Sequence, residues 1–97
     1  MSKKLQPYRI EIDALDDQIL DLLAKRFEIV RAVGELKTDE DIAIIQTNRA
    51  EEVMNRVETI AKEKNVPADL IRGFYADMIE EAHKIEFAIQ RAEKKHA

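Results

Sequence analysis

"LQPYRIEIDALDDQILDLLAKRFEIVRAVGEL", residues Leu5–Leu36, sets its apolar side chains in a single line. Leu5, Tyr8, Ile12, Leu15, Ile19 and Leu22 are followed by Arg26, Ile29, Val33 and Leu36, at spacings that alternate three and four. This is a heptad seam, and Arg26 is its one polar member. No proline falls between Pro7 and Pro67, and Gly34 is the only glycine in that interval. The spacing predicts one helix from about residue 5 to about residue 38, ~50 Å long at the α-helical rise. A compact chain of 97 residues has a radius of gyration of only about 12–13 Å. So long a helix would leave its seam uncovered, and the economical cover is a second copy. The expected fold is all-α: three helices per chain, one very long, in an intertwined homodimeric helical bundle, with residues 1–97 as one domain.

Outward from the seam, "TDEDIAIIQTN" (Thr38–Asn48) breaks the period and reads as a loop whose "IAII" packs inward. A second helix is expected from Thr47 or Asn48, either able to act as N-cap, with Glu51 completing a partial capping box for Asn48. Val53, Val57, Ile60 and Ala61 form its apolar side, and its end is expected near Asn65. "VPADLI" (Val66–Ile71) opens a third helix, with Pro67 in the first turn and Asp69 near the positive end. Its inward residues run from Leu70, Ile71, Phe74 and Tyr75 through Met78, Ile79 and Ala82 to Ile85 and Ile89; "RAEKKHA" is expected to fray.

Composition removes several function classes. Hydrophobic residues are 45% and charged residues 37%, with two glycines and no tryptophan, which suits a charged helical protein better than a sandwich or barrel. The lack of cysteine excludes disulfides, thiolate metal sites and a cysteine nucleophile. A net charge of −4 argues against nucleic-acid binding. No run approaches the ~18 apolar residues of a membrane span. "MSKKLQPYRIEID" has lysines but no apolar stretch behind them, so a cytoplasmic protein is expected.

The bases stand where apolar residues are expected. Lys37 lies eleven residues beyond Arg26, three turns on, and so returns to nearly the same side of the helix ~16 Å away. Arg49 opens the second helix, and Glu86 follows Ala82 and Ile79 at the edge of the third helix's apolar face. Arg9 is seventeen residues before Arg26, ~25 Å along the rod, too far to serve the same pocket in its own chain. In an antiparallel dimer the partner's Arg9 would arrive there. Taken singly, each base reads best as a snorkelling or ion-paired side chain, with Asp13 and Asp16 near Arg9. Four bases and a carboxyl beside apolar surface call for paired charge, which a small dianionic ligand would supply.

These residues carry a resemblance. "RIEIDALDDQILDLLAKR" (Arg9–Arg26), then "VGELK" (Val33–Lys37), then "IIQTNR" (Ile44–Arg49) are similar to the all-helical chorismate mutases over nearly the whole chain. The resemblance implies that Arg26 and the partner's Arg9 bind the substrate carboxylates, and that Lys37 donates to the ether oxygen of the breaking bond. It further implies that Arg49 adds positive field and that the backbone at Gln46 approaches the ring hydroxyl. Arginine's planar fork suits carboxylates. The rearrangement of chorismate to prephenate needs no nucleophile, metal or cofactor. The inventory agrees: Ser2 is the only serine, and neither His83 nor His96 has a nucleophile beside it. Many relatives carry a glutamate where this chain has Ala50, and many bacterial ones a glutamine where it has Glu86. Fungal relatives also have glutamate there, and a protonated carboxyl can donate as an amide does.

Four other readings stand beside this one. The related isochorismate pyruvate-lyases, which make salicylate and pyruvate, share the bundle and the arginine–lysine set. A mutase for an amino analogue of chorismate is a further variant. A non-catalytic helical dimerisation module would use Arg26 only to fix register. "EEAH" places Glu80 and His83 at the i, i+3 spacing of di-iron bundles. The seam offers no inward glutamates to complete such a site, so His83 reads as a surface residue.

Overall fold

The computed structural model describes residues 3–96; Ser2 and Ala97 lie outside them. Three helices follow one another: α1 (Gln6–Asp39), α2 (Thr47–Glu63) and α3 (Ala68–His96). The first is one unbroken rod of 34 residues, with Leu5 as N-cap and Pro7 in the first turn, where its missing N–H costs nothing. It gives the molecule a long axis of 62 Å and a radius of gyration of 17.7 Å, well above the compact expectation.

α1 and α2 end the same way, without glycine. After the C-cap Glu40, Asp41 takes a left-handed φ of 53°. The N–H of Ile42 then reaches back 2.8 Å to the carbonyl of Lys37. After Lys64, Asn65 takes φ 58°, and the N–H of Val66 meets the carbonyl of Ala61 at 2.8 Å. Both are Schellman turns, in which the last free carbonyls find donors as the chain leaves the helix. The expected capping box at Asn48 does not form. Gln46 is the N-cap of α2, its carbonyl accepting from Ala50 N–H at 3.0 Å, so Thr47 and Asn48 are already helical. Pro67 stands just before α3 and accepts from Ile71 N–H at 3.2 Å. At the other end α3 runs on through the segment expected to fray, as far as His96.

α3 is the central helix, packed against both others. It runs parallel to α1: Arg26 lies by Tyr75, Lys37 by Glu86 and Asp39 by Glu93. It runs antiparallel to α2, where Arg72 stands 3.9 Å from Glu58. Gly34 sits at the α1–α3 crossing. A Cβ there would meet Ile89 Cδ1 at 3.0 Å and Glu86 Cγ at 3.1 Å, so its bareness is what lets the two helices approach. Farther along, partial burial and the neighbouring Asp39 and Glu35 carboxylates hold the Glu93 carboxyl above its ordinary range.

The core of the single chain is small. Ile44, Val57, Ala61, Met78 and Ala82 are its buried apolar residues, and only Ile44 of the "IAII" segment points inward. Leu70 and Phe74, expected inside, are exposed. Along α1 the seam residues Leu5, Tyr8, Ile12, Leu15, Ile19, Leu22, Ile29 and Leu36 are at least half exposed.

Candidate active site

A cavity of about 420 Å³ is walled by all three helices and the loop between α1 and α2. That volume lies within the range of small-molecule sites. α1 contributes Arg26 and Lys37, the loop Ile44 and Gln46, α2 Arg49 and Ala50, and α3 Ala82, His83 and Glu86. Five of the six residues picked from the sequence thus line one space. Arg9 does not: it is exposed on the amino-terminal part of α1. The expected pairing of Arg9 with Asp13 or Asp16 is absent among the described residues.

Lys37 is fixed from two sides. Its backbone carbonyl is held by the Schellman turn, and its ammonium donates to the carbonyl of Ile44 at 2.7 Å. The same ammonium stands 2.7 Å from Glu86 Oε1. Glu86 is only 4% exposed, buried rather than at the edge of its helix. The gap left by Gly34 explains the difference, because α1 closes directly over Glu86. The contact is an ion pair by distance but lies off hydrogen-bonding alignment, so Oε1 is a buried acceptor without an aligned donor. A buried acceptor of that kind is costly unless something completes it.

Arg26 has no carboxylate partner among the described residues; its guanidinium lies 5.6 Å from the centre of the Tyr75 ring. That stack holds the charge in place without neutralising it. Arg49 reaches Glu52 at 3.4 Å with both side chains about two-thirds exposed, a weak pair that leaves the guanidinium free to turn. Gln46 folds its amide onto the carbonyl of Ala43 at 2.9 Å. The cavity is therefore cationic, with its single carboxylate already facing a lysine.

His83 corrects the surface assignment made from sequence. It is half-buried and lines the cavity. The signal was in the spacing: His83 lies four residues after Ile79 and three before Glu86, on the same side of α3. Its motif partner Glu80 is exposed and stands 3.8 Å from Lys84. Tyr75 was assigned only to the apolar face, and nothing in the sequence pairs it with Arg26.

The comparisons with known proteins give the family. The family model described as chorismate mutase type II matches residues 8–87. A T-protein of Enterobacter agglomerans is 34% identical over 89% of this chain, which spans 23% of that protein. A chorismate mutase of Methanocaldococcus jannaschii is 31% identical over 82% of this chain and 81% of its own length. A bifunctional chorismate mutase/prephenate dehydratase of Aquifex aeolicus is 27% identical, with this chain spanning 26% of it. The matched span runs from Tyr8 to Phe87 and so takes in every residue set around the cavity. By that match, the chain belongs to the chorismate mutase type II family.

Proposed function

We propose that this chain works as a cytoplasmic, homodimeric chorismate mutase, converting chorismate to prephenate. The observation that carries the reading is the cavity itself: Arg26, Lys37 and Arg49 around one space, with Glu86 beside the lysine. Such a set binds a dianion and supplies donors, and the reaction asks for little else. One ether C–O bond breaks as one C–C bond forms within a single molecule. The protein has to hold the compact conformer in which the two ends meet. It must also stabilise negative charge growing on the ether oxygen.

In this scheme Arg26 takes one carboxylate, oriented by its stack on Tyr75. The partner's Arg9 takes the other, entering across an antiparallel pairing of the two α1 helices. Lys37 donates to the ether oxygen from a fixed position, and Glu86 lies beside it as the second catalytic side chain. Arg49 adds field from α2, and Gln46 lies at the ring side. The dimer is supported by what one chain leaves uncovered, the α1 seam together with Leu70 and Phe74 on α3. Exposed apolar surface of that extent marks an interface.

The names of the matched proteins favour the mutase over the isochorismate lyase. Incubating the purified protein with chorismate and with isochorismate tests the proposal. Prephenate from the first is expected; salicylate and pyruvate from the second, without prephenate, would replace the mutase by the lyase.

A further inference from the structure

His83 is the polar residue of the cavity that the scheme above leaves without work. It is half-buried, it lines the same space as Arg26, Arg49 and Glu86, and among the described residues its imidazole has no hydrogen-bond or ion-pair partner. Its position along the site can be fixed from the helix register. Glu58 of α2 stands by Arg72 of α3, and the two helices are antiparallel. Counting back from Glu58 to Ala50 covers ~12 Å, and forward from Arg72 to His83 ~16 Å. Ala50 and His83 are therefore level to within about one turn, and both line the cavity.

A substrate with two carboxylates and a ring hydroxyl makes three demands. The carboxylates need donors, which the arginines supply. The hydroxyl needs an acceptor for its own proton as well. Arginine and lysine side chains have none to offer. Glu86 faces Lys37 at 2.7 Å, and Gln46 is exposed with its amide turned onto Ala43. A neutral imidazole carries one nitrogen that accepts.

We propose that His83 contacts the substrate directly, accepting the hydrogen bond of the ring hydroxyl in the space beside Ala50, and thereby sets specificity for a hydroxyl-bearing ring. This rests on the mutase reading and adds a residue to it. The hydroxyl oxygen in turn accepts from Arg49, one residue before Ala50 on α2. His83 takes no part in bond breaking, so it acts mainly on binding.

The test compares chorismate with an analogue lacking the ring hydroxyl, in the unsubstituted dimer and in His83→Ala and His83→Asn variants. For chorismate, His83→Ala is expected to raise KM roughly five- to tenfold, the worth of one hydrogen bond, with kcat changed much less. His83→Asn, which keeps an acceptor, should recover most of that loss. For the analogue the three proteins should share one KM. If His83→Ala does not fold, His83→Leu, closer in bulk, serves in the same comparison. An unchanged KM for chorismate, or an equal rise for both compounds, overturns the assignment while prephenate formation stands. No prephenate from the unsubstituted protein overturns the mutase reading and this proposal with it.

Discussion

Lys37 and Glu86 show how one contact can serve packing and chemistry together. The lysine is held by the loop carbonyl of Ile44 and faces a carboxylate that is almost wholly buried. If Lys37 donates to developing charge on the ether oxygen, Lys37→Ala should cut turnover a hundredfold or more, ~3–4 kcal/mol of barrier. Unfolding by urea, measured alongside, should show a much smaller proportional change; near-normal turnover in a folded variant would move the chemistry elsewhere. Glu86 is tested by replacement. Glu86→Gln puts an amide of similar size, with its own N–H donor, beside Lys37 and should keep most of kcat/KM. Glu86→Ala, which leaves Lys37 without its neighbour, should lower kcat/KM clearly. An unchanged kcat/KM in a folded Glu86→Ala variant would remove Glu86 from the reaction. Arg26 and Lys37 were legible in the sequence because charge interrupts an apolar period. The burial of Glu86 was not, since it depends on how closely another helix passes.

That approach belongs to the helices, and Gly34 controls it. A glycine inside a helix costs about 1 kcal/mol relative to alanine. Here a methyl group would press on Glu86 Cα at 3.3 Å as well as on two side chains. Overpacking of this kind costs about 1–3 kcal/mol, enough to offset the helical gain. Gly34→Ala should consequently leave stability little changed or slightly lower while displacing Glu86 from Lys37. The measurable result is a fall in kcat clearly larger than the shift in denaturation midpoint. A fully active and more stable variant would show that the crossing has slack. The helices themselves were legible from spacing, above all α1, whose three-and-four spacing runs for eight turns or so with Arg26 as its one polar member. Their ends were less so. Asp41 adopts left-handed backbone without being glycine, and Gln46 caps α2 without a side-chain hydrogen bond, so neither end carries the usual residue signal, whereas α2 stops just before Asn65, where its end was expected.

For the molecule as a whole, the overlong first helix and the stranded Arg9 were both visible in the sequence, and the structure leaves each unanswered within one chain. Eight of the ten seam residues are exposed, and the cavity contains five of the six expected residues. A two-fold antiparallel pairing that sets Arg9 level with Arg26 has its axis between Asp17 and Gln18, and it sets Leu15 level with Leu20 of the other copy. Both leucines are exposed in the single chain, at 55% and 64%. The most direct measurement of this account mixes two inactive dimers, Arg9→Ala and Arg26→Ala, under conditions where subunits exchange. Each mixed dimer would hold one site with both arginines intact and one with neither. With random exchange, chorismate mutase activity should return to roughly a quarter of the unsubstituted level, as two-fold symmetry with a shared site requires. Demonstrated exchange with no return of activity would contradict it.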